Sequence, residues 1–169
     1  MNHFSFMIHM NNKIIKSFIV LSLILCTSFL NSQSPVNFSG EWTQDSAKSD
    51  DFYKEFGITC LITQTPQSIA IKQTFFDKSG KEITSHEESY NLDGKETRVE
   101  EQGGINMKSA NWSADKKTLT ITNTRTVGNE VYGSHLAYSL SENDRVLTVV
   151  TTDANPLTGL KVKQIFNKK

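Results

Sequence analysis

The chain has 169 residues and a formal net charge of zero, enough for one domain with its own core and too little for two comfortable ones. Hydrophobic residues make up 37%, proline is limited to Pro35, Pro66 and Pro156, and Thr and Ser are abundant; this is a folded, strand-rich composition, which excludes a disordered chain. No basic run stands out, which argues against a nucleic-acid partner.

The first 33 residues read as a leader and not as part of a fold. Lys13 and Lys16 supply positive charge, an apolar run over 14–26 is broken only by Lys16, Ser17 and Ser22, and 27–33 is mostly small and polar, with Phe29 and Leu30 the exceptions. That is the pattern of a secretory signal peptide, with cleavage expected near Ser32 and Gln33 and an apolar core too short for a comfortable membrane span. An uncleaved N-terminal anchor is the alternative. Cys26 would suit a lipid-modified N-terminus, but Leu25 stands where such a site needs a small residue. The expected organisation is a removed segment, 1–33, and one folded domain, 34–169, exported to the periplasm or secreted, with no membrane span remaining. Removal takes two of the 18 basic residues and no acid, leaving 16 against 18, a net charge near −2. Cys60 is then the only cysteine, so no internal disulfide is expected. Its place between Ile58 and Ile62 at strand spacing predicts a buried structural thiol.

After a short lead-in, Phe38, Gly40 and Trp42 alternate with Ser39, Glu41 and Thr43. Alternation by two predicts a first strand with Gly40 and Trp42 on one face and Glu41 on the other. A short helix is expected next. Ser49 is placed as N-cap, Asp50 and Asp51 at the positive end of the dipole, Phe52 and Phe56 on a shared face with Tyr53 beside them, and Gly57 as the stop. Such a helix must pack its aromatics on something, and one end of a barrel is the expected place.

From 58 onward the pattern predicts only strands: 58–65, 68–76, 82–92, 96–101, 105–112, 118–126, 131–140, 146–152 and 160–167. Asp93-Gly94 is the clearest tight-turn signal. A weak repeat runs through the chain, with Tyr90, Trp112 and Tyr138 each followed within three residues by Asp93, Asp115 or Ser141 and then by a new strand. It reads as one hairpin device used three times, an aromatic closing the strand end and a polar residue nucleating the turn. About ten strands with short connections predict an all-β fold, a single up-and-down antiparallel β-barrel of about 8–10 strands with one short helix after the first strand. A twisted sheet of that size is expected to curl and close, removing both edges; a β-sandwich is the runner-up.

The stretch from Asn37 to Trp42 resembles the opening of lipocalins and of the wider calycin group, with Gly-x-Trp on the first strand. Phe38 to Trp42, Ala47-Lys48-Ser49, the run from Tyr90 to Lys95 and the end from Phe166 to Lys169 are together similar to exported bacterial proteins of lipocalin-like type, whose function is uncharacterised. Intracellular fatty-acid-binding proteins share this beginning and a similar closing strand. The resemblance implies a barrel with Gly40 and Trp42 as its structural plug, a basic residue on the tryptophan, here Lys161 or Lys163, and a small apolar or amphipathic ligand inside. A barrel with a filled core and no ligand, serving as a structural or interaction protein, is the alternative.

Candidate interior residues follow from parity. Ile69, Ile71, Gln73 and Phe75 share the more apolar face of 68–76, and Leu119, Ile121, Asn123 and Arg125 share a face of 118–126. If that face points inward, Arg125 could meet a carboxylate above an apolar floor; the alternative is that the strand end emerges into solvent. His86, Glu88 and Tyr90 share a face expected to be solvated, although Tyr90 at its end, with Tyr138, completes the candidate lining of Phe75, Gln73, Asn123 and Arg125. No catalytic signature stands in the chain. His86 and His135 are the only histidines after position 33 and are not expected to form a metal site. With no Gly-rich loop opening a helix, no nucleotide cofactor is expected.

Overall fold

The computed structural model describes residues 34–169 except 142 and 156, with the backbone but not the side chain of Phe52. The proposed leader, 1–33, lies outside the described residues. Ten strands follow one another: β1 (Gly40–Gln44), β2 (Gly57–Gln64), β3 (Ser68–Phe76), β4 (Glu82–Asn91), β5 (Thr97–Glu101), β6 (Gly104–Trp112), β7 (Thr118–Val127), β8 (Glu130–Leu140), β9 (Val146–Asp153) and β10 (Lys161–Lys168). They form one antiparallel sheet in the order β4-β3-β2-β1-β10-β9-β8-β7-β6-β5. Every neighbour is a sequence neighbour except β1 and β10, where Trp42 lies opposite Lys168 and Gln44 opposite Phe166.

The sheet curls into a barrel but does not close. β4 and β5 are joined in sequence and not paired, contrary to the expectation that both edges disappear. The facing edges carry an excess of acid, Glu82, Glu87 and Glu88 on β4 and Glu100 and Glu101 on β5 against the single Arg98, and like charges oppose strand pairing. Side chains cross the gap instead, Lys108 Nζ of β6 lying 3.4 Å from Glu88 Oε1 of β4.

The predicted helix reduces to a single 3-10 turn, Asp51–Tyr53, with Asp50 at its N-cap position and no side-chain cap bond. Ser49 and Asp50 have another task. The Ile165 N–H donates to Ser49 Oγ at 3.0 Å, the Lys163 N–H donates to Asp50 Oδ2 at 2.7 Å, and the Asp45 and Asp50 N–H groups donate to the carbonyls of Ile165 and Lys163. The segment after β1 thus continues the β1–β10 ladder with short polar side chains, which compete with helical bonding. It covers the mouth on that side, where Gln44 Nε2 donates to the Tyr53 carbonyl at 2.8 Å.

The opposite end is shut by the lead-in. Gln64 acts like a strand partner to it, accepting from the Phe38 N–H through Oε1 and donating through Nε2 to the Val36 carbonyl, both at 3.0 Å. The Val36 N–H reaches the Lys116 carbonyl across the end of the barrel. Phe38 is wholly buried, stacked on Trp112 with centroids 5.8 Å apart and edge-on to Tyr138 at 6.2 Å. Two of the three repeat aromatics therefore pack this floor. The turns beyond them are pinned as the repeat predicts, Asp115 Oδ1 accepting from the Lys117 N–H and Ser141 Oγ from the Val146 N–H.

Trp42 is wholly buried and its indole N–H donates to the Phe38 carbonyl at 3.0 Å. The cation on its ring is Lys168, with Nζ 5.2 Å from the ring centroid. Neither Lys161 nor Lys163 takes that place. Phe166 is buried and Gln164 is buried beside it in the same parity, so even-numbered residues of β10 face inward and the two odd-numbered lysines face away. Gly40 has φ +144° and lies against the Lys168 stem, whose Cε would stand 3.0 Å from an added Cβ; a side chain there would displace the lysine from the indole.

Cys60 is buried, as the spacing predicts. Burial pushes its thiol up to about 12 and also raises the phenols of Tyr90 and Tyr138. Each group ionises at lower pH in the unfolded chain, so its contribution is complete below that lower value and is lost as pH rises. Stability is expected to fall above about pH 9, with Cys60 alone contributing a slope of about 1.4 kcal/mol per pH unit until about pH 12. Denaturant midpoints measured from neutral pH upward check this, and Cys60→Val should flatten the first part of the decline.

Candidate functional site

The inward faces of β3, β4, β7 and β8 converge on a small chamber of about 150 Å³ above the aromatic floor. Its apolar wall is Ile71, Ile121, Leu136 and Tyr138; its polar wall is Gln73, His86, Glu88, Tyr90, Asn123 and Ser134. A wider cavity of about 490 Å³ lies toward the gap and the mouth, with Val99, Met107, Lys108, Arg125 and Tyr132 among its lining residues. Glu88 and Asn123 line both.

Register accounts for this convergence. Asn123 pairs with Ser134 of β8 and Lys108 of β6, one step toward the mouth from the buried Ile121. Glu88 pairs with Ile71, whose side chain is buried, so Glu88 shares the inward face. The face of His86, Glu88 and Tyr90 therefore points to the interior, where the expected solvation holds for the exposed His86, fades at the half-buried Glu88 and fails at the buried Tyr90. The upper half of this barrel is polar within, and polarity alone does not separate such a wall from an outer surface.

The polar wall is one bonded cluster. Asn123 Nδ2 donates to Glu88 Oε2 at 2.9 Å and to the Tyr90 hydroxyl oxygen at 2.6 Å. The Tyr90 hydroxyl donates to the same Glu88 oxygen. Lys108 Nζ sits 3.4 Å from the other carboxylate oxygen and 5.9 Å from the Tyr90 ring centroid. Burial pushes the Glu88 carboxyl up, but the Tyr90 hydroxyl, the Lys108 charge and the Asn123 amide outweigh it and leave the group below its ordinary value. Burial raises Tyr90, and its bond to Glu88 raises it further. Asn123 Oδ1 is buried and has no hydrogen-bond partner among the described residues.

All six candidate lining residues stand on inward faces. Gln73, Tyr90, Asn123 and Tyr138 meet in the small chamber. Phe75 stands nearer the mouth, its ring stacked on His86 at 5.7 Å. Arg125 lines the wider cavity, and its Nη2 donates to the carbonyls of Gln102 at 3.3 Å and Glu101 at 3.5 Å. Sequence reasoning missed Glu88 and Lys108 as members of the site. For Lys108 a signal existed: the parity of Trp112 and Ala110 along β6 carries inward to it. His86 and His135 do not come together; His135 lies on the other parity of β8, with Nδ1 3.0 Å from Thr122 Oγ1. Among the described residues no helix is long and apolar enough to cross a membrane.

The fold is one that solved structures share. Human cRBP IV superposes with a TM-score of 0.57 at 16% sequence identity, over 80% of this chain and 100% of that one. The REP1-NXSQ fatty acid transporter does so with a TM-score of 0.53 at 12% identity, over 78% of this chain and 95% of that one. At these identities the likeness is one of fold. No protein-family model matches the sequence, and neither does any curated protein.

Proposed function

We propose that this chain is an exported, lipocalin-like binding module that holds one small apolar or amphipathic ligand in its barrel and catalyses no reaction. The observation that carries the reading is the unfilled interior: a cavity of about 490 Å³ contiguous through Glu88 and Asn123 with a chamber floored by Ile71, Ile121 and Leu136. Ligand pockets span roughly 300–1,000 Å³, mostly apolar with a few convergent polar groups. A solidly packed structural barrel would have no cavity of this size. The fold shared with the REP1-NXSQ fatty acid transporter supports the same reading, and the leader pattern of 1–33 supports export.

Native mass spectrometry of protein purified without detergent should show a bound species of lipid mass that solvent extraction removes. The stripped protein should then take up a neutral solvatochromic dye at one site per chain. Protein that is empty as isolated and fails to bind the dye would overturn the proposal.

A further inference from the structure

We infer that the bridge between Glu88 and Asn123 is a partition that limits the length of tail the barrel accepts: it confines the ligand to the wider cavity and shuts it out of the chamber. The inference rests on the binding-module reading above and names the residues that decide specificity within it.

The two spaces share one wall. Glu88 and Asn123 line both the chamber and the wider cavity, and they are bonded to each other, Asn123 Nδ2 donating to Glu88 Oε2 at 2.9 Å. They come from β4 and β7, which are not neighbours in the sheet, so the bond crosses the interior and does not run along a wall. Its flanks are two different residues. Tyr90 lines the chamber and is bonded to both partners from that side. Lys108 lines the wider cavity and pairs with Glu88 from there. A bar with one flank in each space, and its own bond between them, divides the two.

The bar stands where a tail would meet it. The wider cavity, about 490 Å³, falls within the range of ligand pockets, roughly 300–1,000 Å³; the chamber, about 150 Å³, falls below it. Val99, Met107 and Tyr132 offer a tail apolar contact in the first, and Ile71, Ile121 and Leu136 offer it again in the second. Between these apolar stretches Asn123 and Tyr90 both donate to the same charged oxygen. Each such bond is worth the burial of roughly two to four methylenes. A tail that enters the chamber by one or two methylenes therefore does not offset the bonds that it breaks. Tyr90 is itself buried, which fixes the brace on the chamber side.

Straight-chain primary alcohols from hexanol to tetradecanol, competed against the neutral dye on the stripped protein, test this. In the unaltered protein affinity should climb about fourfold per added methylene until the tail meets the bar, and then level off or fall. Glu88→Ala and Asn123→Ala remove the bar from opposite ends. In both, the climb should continue past that limit, so that an alcohol two methylenes longer gains about fifteenfold. Glu88→Gln keeps an oxygen that accepts from Asn123 and Tyr90 and should keep the limit where it was. A limit that stays in place in both alanine variants overturns the inference and leaves the binding module standing. So does a limit that Glu88→Gln moves as far as Glu88→Ala does, the mark of a general loosening of the barrel. Failure of the dye itself to bind overturns both readings. Should both alanine variants fail to fold, the unaltered protein decides alone: a limit supports the partition, and a climb unbroken to tetradecanol overturns it.

Discussion

Trp42→Ala is expected to lower the unfolding free energy by about 4 kcal/mol, within the range for truncating a buried large aromatic. Three losses combine. The indole is wholly buried, so its removal leaves a void at the meeting of β1, β2 and β10. The Phe38 carbonyl loses the indole N–H that it accepts at 3.0 Å, and this bond anchors the lead-in that floors the barrel. Lys168 loses the ring beneath its ammonium, a contact of about 0.5–1 kcal/mol when exposed. Urea denaturation followed by circular dichroism measures the change. Trp42→Phe keeps much of the volume and should lose less than half as much; a loss below about 1 kcal/mol for the alanine variant would show that Trp42 does not plug the barrel.

Gly133→Ala is expected to cost a similar amount, about 4 kcal/mol, for an unrelated reason. Gly133 pairs with Thr124 across β7 and β8 at φ +114°, and an added Cβ would stand 2.1 Å from the Asn123 carbonyl oxygen and 2.9 Å from Thr124 Cα. Both obstacles are backbone, so no side chain can swing away; the strands must separate, adding overpacking to strain. Gly103→Ala is the matched comparison. It also has positive φ, +73°, but open space around it, and should cost only about 1–2 kcal/mol. Comparable losses for the two variants, by the same denaturation measurement, would refute the close approach as the cause. Because Asn123 is the residue that Gly133 presses on, the alanine variant should also weaken dye binding.

Most of the fold was legible because strand alternation and turn chemistry agree along the chain. Ile69, Ile71 and Gln73 on β3, and Leu119 and Ile121 on β7, announce their inward face through the apolar members. The same rule misread β4, where the inward residues are His86, Glu88 and Tyr90 and polarity pointed outward. A polar wall inside a barrel is written in the same letters as a wall that meets water. The helix was overread for a related reason. Ser49, Asp50 and Asp51 form a sound capping pattern, but Ser49 and Asp50 spend their oxygens on Ile165 and Lys163, residues over a hundred positions away that no local pattern reveals. The gap between β4 and β5 was hidden behind a good turn signal at Asp93-Gly94, since a turn specifies a reversal of the chain and not the pairing of the strands on either side of it.

The pairing of β1 with β10 has a consequence for how the barrel is made. Asp45 and Asn167, which bond across this seam, are 122 residues apart in sequence. During synthesis β1 emerges long before its partner, and until β10 arrives one side of β1 is an unpaired edge. Trp42 cannot be enclosed in that interval, and the Lys168 stem has not yet come to lie against Gly40. Closing so long a loop is slow compared with forming the hairpins between, and it makes the native state a late, cooperative event.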